Sequence, residues 1–314
     1  MRLPRSLGSG GYILPLVAVV VALLSLVLLT VARVQSDLSP ALRLQAADGE
    51  RALVVHSVAA RIAFLLLTEP LGPRSLRIGA GSESGAGQAS ARSAAGVGLR
   101  ELRLDGRSYV AGEGAIVSVQ DEAGLFNLNS GDETMLAALL RQSGVGARAS
   151  SRLAAALADY VDADDLSRAN GAEEAEYRRA GLRTPPNRNM VNRWSARAAL
   201  GWSEELPDSD ALWRFTMVAD GASPLNINTA PAPVLRAALG DGRQAETFLR
   251  EREQGAMSAI NQGEALAGTR AGAAGVELAA EPGAAFRLVV AFDAGASRRE
   301  IESQVLLAEA EAER

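Results

Sequence analysis

The chain has no cysteine and a single histidine, and only 4% of its 314 residues are aromatic. Without cysteine there is no disulfide staple, no thiol nucleophile and no thiolate metal site, so stability rests on packing and on any bound ions. The lone histidine, His56, lies beside Val54, Val55 and Val58 in an amphipathic stretch. A structural role is expected for it, because catalysis and metal binding need convergent partners. The sequence also lacks a phosphate-cradling glycine loop, a nucleophile elbow and a histidine metal motif, which argues against an enzyme. Positive charge is in deficit: the net charge is −5. Nucleic acid is not expected as a partner, since phosphate attraction needs clustered cations.

What is present begins with residues 12–32, an uncharged run of 21 in which fourteen are Ile, Leu or Val. At about 1.5 Å per residue a helix of this length spans a ~30 Å hydrocarbon core. Arg2 and Arg5 precede it and favour a cytoplasmic N-terminus, with the bulk of the chain on the far side. A plain anchor or a cleaved secretory signal is the alternative, and Thr30-Val31-Ala32 would serve as a small-residue cleavage site. Apolar residues make up 48% of the chain, enough for a sizeable core.

Beyond the run, Leu53, Val54, Val58, Ala59, Ile62, Ala63 and Leu66 recur at helical spacing and predict an amphipathic helix. Pro40 predicts a bend before it, and Pro70, Gly72 and Pro73 its end. Residues 79–98 are rich in Gly, Ser and Ala and read as a loop. Strands are expected around Leu102 and Tyr109, joined by an Asp105-Gly106 hairpin turn, then at residues 115–119, 286–292 and 301–307, with a turn at 293–297. Between these strands the signal is helical. The expected organisation is α+β: residues 33–120 carry a long helix and the first strands, 121–268 an inserted all-α domain, and 269–314 the last strands of a small antiparallel sheet.

The insert repeats itself. Asn127-Leu128-Asn129-Ser130 and Asn226-Ile227-Asn228-Thr229 stand 99 residues apart, and each precedes an apolar helix and a Gly-x-Gly turn. The Asn, Ser and Thr side chains are expected to cap those helices. The pattern looks like two helix-hairpin-helix or SAM-like units, which raises a membrane-anchored DNA receptor as a rival reading. Around the first hairpin, however, six acidic residues face three arginines, Arg141, Arg148 and Arg152. Downstream, Asp162, Asp164 and Asp165, with Glu173 from the following segment, form an acidic cluster whose oxygens suit Ca²⁺. A solvated acidic loop beside a helix start is the other reading.

The short basic leader ending in Gly11, with the apolar helix opening at Tyr12, resembles the signal of type IV pilins and type II secretion pseudopilins. In those proteins a prepilin peptidase cuts after the glycine and methylates the new N-terminus. The cut would remove residues 1–11 and leave 12–32 as the transmembrane and assembly helix, with net charge −7 once Arg2 and Arg5 are gone. Leu16 would be the fifth mature residue, where most of these proteins carry Glu. Four further blocks, in order, are Phe126-Asn127-Leu128-Asn129, Asp159-Tyr160-Val161-Asp162-Ala163-Asp164, Gly171-Ala172-Glu173 with Tyr177, and Pro186-Asn187-Arg188 before Met190-Val191. With Leu225-Asn226-Ile227-Asn228-Thr229-Ala230 they make nearly the whole chain resemble the K minor pseudopilin family of the type II secretion system. The loop at 79–98 is outside the resemblance, and Asp241 replaces the apolar residue usual between the hairpin glycines.

The resemblance implies a pilin-like fold with a large inserted α-domain, and Ca²⁺ in or near that domain. It implies an inner-membrane protein whose partners are the I and J minor pseudopilins, other pseudopilins and the prepilin peptidase. It also implies a place at the pseudopilus tip. Leu16 suits that place: the fifth-position Glu neutralises the amine of the subunit ahead, and a first subunit has none ahead. A minor tip pilin of a type IV pilus shares the local signal and remains the alternative.

Overall fold

The computed structural model describes residues 13–79, 99–130, 132–206, 211–221, 224–240, 242–257, 276–293 and 298–307. The Gly11/Tyr12 junction, the loop at 80–98, Asp241, the turn at 294–297 and the C-terminal residues 308–314 lie outside the described residues. By packing, the chain divides into residues 1–54 and 55–314. Helix α1 is Ile13–Thr68.

In the first unit, Leu14–Arg33 is long and apolar enough to cross a membrane, and none of it is buried. Leu16 is among its exposed side chains. The helix continues through Pro40, where a bend is expected from the sequence. A proline costs one backbone bond and crowds the preceding turn, and the bonds on either side keep this long helix continuous.

In the second unit, Val55, Val58, Ile62, Leu65 and Leu66 bury one face of α1. The face is rotated from the one the sequence suggests, since Leu53 is 71% exposed. His56 is exposed too, so it packs in no core. Strands β1 (Ser75–Arg77) and β2 (Glu101–Arg103) pair antiparallel. Strands β3 (Asp105–Val110), β4 (Ala115–Asp121), β9 (Ala285–Asp293) and β10 (Arg298–Leu306) form an antiparallel sheet in the order β10-β9-β4-β3. Asp105-Gly106 is therefore no hairpin turn. It opens β3, where the register against β4 shifts between Asp105 and Ser108. Gly106 holds φ +75°, and a Cβ there would stand 2.8 Å from Gln120 Oε1, so glycine is required at the bulge.

Period-two alternation buries Val117, Val119, Phe286, Leu288 and Val290 on one face of the sheet. The opposite face presents Gln120 and Arg287, both buried. Gln120 Nε2 donates to the Thr229 carbonyl (3.1 Å), and Arg287 donates to the carbonyls of Trp213 (3.1 Å) and Thr216 (2.7 Å).

Those carbonyls belong to the helical stretch between β4 and β9. Helices α2 (Glu133–Gln142), α3 (Ala147–Val161), α4 (Glu174–Ala180), α5 (Trp202–Glu205), α6 (Ala211–Arg214), α7 (Ala232–Leu239) and α8 (Gly242–Gln254) account for most of it. Leu139, Leu153, Trp202, Leu212, Val234 and Phe248 belong to one buried cluster there, and α2 packs against both α3 and α7. The stretch is not purely helical. Two-residue strands β5 (Phe126–Asn127) and β6 (Thr216–Met217) pair in parallel, as do β7 (Leu225–Asn226) and β8 (Leu278–Ala279).

The Asn repeats explain those short pairs. Asn127 Oδ1 accepts from the Asn129 N–H at 3.1 Å, and Asn226 Oδ1 from the Asn228 N–H at 3.0 Å. The second Asn of each repeat then pairs twice with one methionine backbone. Asn129 donates to the Met190 carbonyl (2.9 Å) and accepts from its N–H (2.9 Å). Asn228 does the same with Met257, both bonds being 2.8 Å. The Asn residues are thus loop staples and not helix caps. Asp132 caps α2, accepting from the Met135 N–H, and α7 starts after Pro231 with no side-chain cap.

At the end of β4, Asp121 is fully buried. Its carboxylate accepts from the N–H groups of Ala123 and Gly283 (both 3.1 Å), from Asn226 Nδ2 (2.8 Å) and from Thr229 Oγ1 (2.8 Å). Burial pushes its pKa up while these four donors pull it down. Asp121→Ala leaves four buried donors without an acceptor. Its expected cost is about 3–5 kcal/mol, to be read as a lowered urea midpoint of the full chain in detergent micelles.

Candidate functional site

The acidic cluster is assembled where α3 ends. Asp159 lies in the last turn of α3 and is fully buried, and Asp162 ends the helix with its N–H on the Ala158 carbonyl (3.2 Å). The chain then turns back. Gly171 passes so close that a Cβ would fall 1.9 Å from Asp159 Oδ2, so only glycine fits there. This approach brings Glu173, the residue before α4, under the end of α3. Tyr177 and Ala172 bury beside Ala156 of α3, and the Tyr177 hydroxyl accepts from the Leu200 N–H at 3.0 Å, which ties α4 to the segment before α5.

Arg168 neutralises part of the cluster. Its guanidinium bonds to Asp159 Oδ1 (2.8 Å) and to Asp162 Oδ2, and pairs with Glu133 at 3.1 Å. Asn187, at φ +47°, donates to the Asp164 carbonyl (2.9 Å) and to Asp165 Oδ1 (2.8 Å). Asp164 spends its own carboxylate on the Leu166 N–H at 2.8 Å.

Glu173 is the uncompensated member. It is 5% exposed, and neither carboxylate oxygen has a hydrogen-bond partner; Asp162 Oδ1 and Asn187 Oδ1 are likewise buried and unpartnered. Burial first, then repulsion from Asp159, Asp162 and Asp165, pushes its pKa up to about 7, with a small offset from the Asn187 amide. Of the four residues singled out from the sequence, the fold brings Asp162, Asp165 and Glu173 to bear on one another. Asp164 contributes its backbone carbonyl to Asn187 and not its side chain to Glu173. Arg168 and Asn187 were not anticipated as members, and Asp159 belonged to the acidic run but not to the candidate ligands. Asp159 is one helical turn before Asp162, so spacing on α3 could have found it; the Asn187 contact depends on a turn 22 residues from Asp165.

The unpartnered oxygens are hard donors of the kind Ca²⁺ takes. Among the described residues, no group of three or more Asp, Glu or His side chains is already closed around a common point. The donor chemistry fits a calcium ion, and the carboxylates would have to draw together to hold one.

Fold and site together define an α+β protein with a membrane-length apolar helix and an oxygen-rich acidic site at a helix end. Residues 116–209, which include that site, match the family model for type II secretion system (T2SS) protein K. That match covers residues 116–209 of the 314-residue chain. With Leu14–Arg33, this is consistent with a single-pass inner-membrane protein. No curated protein matches the chain. Among solved structures, a chain of the GspK-GspI-GspJ complex from enterotoxigenic Escherichia coli is similar at 17% identity and a TM-score of 0.40, over 63% of this chain and 76% of that one. At that score the likeness does not decide the fold.

The raised Glu173 pKa sets a pH dependence. The folded chain holds this proton up to about pH 7, whereas the unfolded chain releases it near the ordinary value of 4.5. Stability without calcium therefore falls as pH rises from about 4.5 to about 7, with a slope from this group of at most about 1.4 kcal/mol per pH unit. Glu173→Gln is expected to flatten that slope in chelator-treated protein, measured by urea denaturation at a series of pH values.

Proposed function

We propose that this protein is a non-enzymatic minor pseudopilin that caps the tip of the type II secretion pseudopilus and helps to start its assembly. The observation that carries the reading is the protein K family match over residues 116–209. Leu16 on an exposed apolar helix agrees with it: a subunit with no neighbour ahead needs no acidic side chain at that position. In this reading residues 33–120 and 269–314 form a pilin-like unit, and 121–268 an inserted domain with two SAM-like hairpins, α2–α3 and α7–α8. The pairing of β4 with β9 supports it, because the chain leaves the sheet at Asp121 and rejoins the same sheet 164 residues later at Ala285.

The partners in this reading are the I and J minor pseudopilins, the pair named with GspK in the Escherichia coli complex. Calcium is the proposed ion of the acidic site. Asp162, Asp165 and Glu173 would hold it with the Asn187 amide oxygen, and it would supply the positive charge that Glu173 lacks.

Two measurements test the proposal. Co-expression with a prepilin peptidase is expected to give N-methylated Tyr12 by mass spectrometry, and substitution of Gly11 to abolish the cut; cleavage after Ala32 would refute the pseudopilin reading. Titration with Ca²⁺ is expected to show binding that strengthens as pH rises through about 7 and weakens at least about tenfold in Glu173→Gln. Identical calcium binding by the variant would move the ion elsewhere.

A further inference from the structure

One arginine serves several carboxylates at the acidic site. Arg168 lies between α3 and α4, and its guanidinium pairs with Asp159 and Asp162 at the end of α3 and with Glu133 at the start of α2. Its side chain is 35% exposed, whereas that of Asp159 is fully buried, so the guanidinium stands on the solvent side of that carboxylate. Among the described residues no other cation is bonded to Asp159, Asp162, Asp165 or Glu173. A cation already bonded there competes with any other cation for the same oxygens.

The three partners are not held alike. Asp159 Oδ1 accepts from Nη1 at 2.8 Å, and Asp159 Oδ2 accepts from the Arg168 main-chain N–H at 3.2 Å, a bond that does not depend on where the guanidinium points. Glu133 Oε1 pairs with a different nitrogen, Nε, at 3.1 Å. Asp162 has the least: its Oδ2 shares Nη1 with Asp159, and its Oδ1 is buried with no partner. Releasing Asp162 therefore costs one bond and leaves Asp159 and Glu133 paired. The oxygens of Glu173 and the amide oxygen of Asn187 are buried and unpartnered as well. An ion that took these oxygens together with Asp162 would meet a guanidinium on the same carboxylate, and two cations so placed repel.

We infer that Arg168 is the resident counter-ion of the acidic site and competes with calcium for Asp162, releasing that carboxylate when the ion enters while keeping Asp159 and Glu133. The inference rests on the calcium reading of the site and adds what sets its affinity. Without the ion, Arg168 spares the fold two unpaired aspartates at the end of α3. With the ion, part of the binding free energy goes into displacing a bonded guanidinium, so the site is weaker than its oxygens alone would make it.

The test titrates Ca²⁺ into the chelator-stripped full chain in detergent micelles, at one pH, by calorimetry. Arg168→Gln is expected to bind calcium at least about tenfold more tightly than the unaltered chain. The same variant is expected to unfold at lower urea when stripped, with calcium restoring most of the loss. Arg168→Lys keeps the charge and is expected to bind nearly as the unaltered chain does. Arg236→Gln removes one positive charge on α7, where Arg236 pairs with Glu246, and is expected to change nothing. The Arg168 Nε–H nuclear magnetic resonance signal, identified by its loss in Arg168→Lys, is expected to shift as calcium binds. Equal or weaker binding by Arg168→Gln, with the unaltered chain binding, would overturn the inference and leave the calcium reading standing. An Nε–H signal unmoved at saturating calcium would do the same, and it decides the matter if Arg168→Gln fails to fold. No binding by any of these proteins up to about 1 mM would overturn the calcium reading and the inference with it.

Discussion

The buried carboxylate of Asp121 is the constraint on which the rest of this structure depends. It stands where β4 hands over to the helical stretch, and it accepts from both ends of that stretch: Ala123 at the exit, Asn226 and Thr229 in the middle, and Gly283 just before β9. A buried charge is tolerable only when several donors converge on it. The segments that supply them are therefore held in one arrangement. Gly124 shows how close that arrangement is, since a Cβ there would lie 2.7 Å from the Thr229 backbone. Gln120 and Arg287 extend the same device across the polar face of the sheet, donating to carbonyls of the helical stretch.

The acidic site uses the opposite arrangement. Asp159 and Asp162 share Arg168, and Asp165 has Asn187, while Glu173 is buried with neither an arginine nor a hydrogen bond. Its position is forced by Gly171, which lets the chain pass against Asp159. The close approach at Gly171 thus places a buried carboxylate beside three others, and burial with their repulsion holds its pKa up. Asp121 is satisfied by four donors, whereas burial and neighbouring carboxylates push Glu173 towards its protonated form.

Much of the outline was legible from the residues. The run at 12–32 has the length and composition of a membrane segment, and period-two alternation located β4, β9 and β10. Other expectations failed where a local rule met a tertiary one. Asp105-Gly106 has the residues of a hairpin turn, but β2 pairs with β1 and β3 with β4, so the glycine serves a bulge. The Asn repeats look like helix caps because Asn is a good cap, yet their amides are claimed by methionine backbones 61 and 29 residues away. Distance in sequence hides such partners from any local pattern.

The sequence by itself determined the elements that hydrophobic spacing dictates: the apolar helix, the alternating strands and the helices between them. It also determined the chemistry of the acidic cluster, because carboxylates crowded within a few residues repel one another in any fold. Only the tertiary structure decided which carboxylate is left uncompensated, which face of α1 is buried, and that Asp121 would join the ends of the helical stretch. These depend on burial and on partners far apart in the chain, and the free energy of a charge is set by its surroundings, not by its neighbours in sequence.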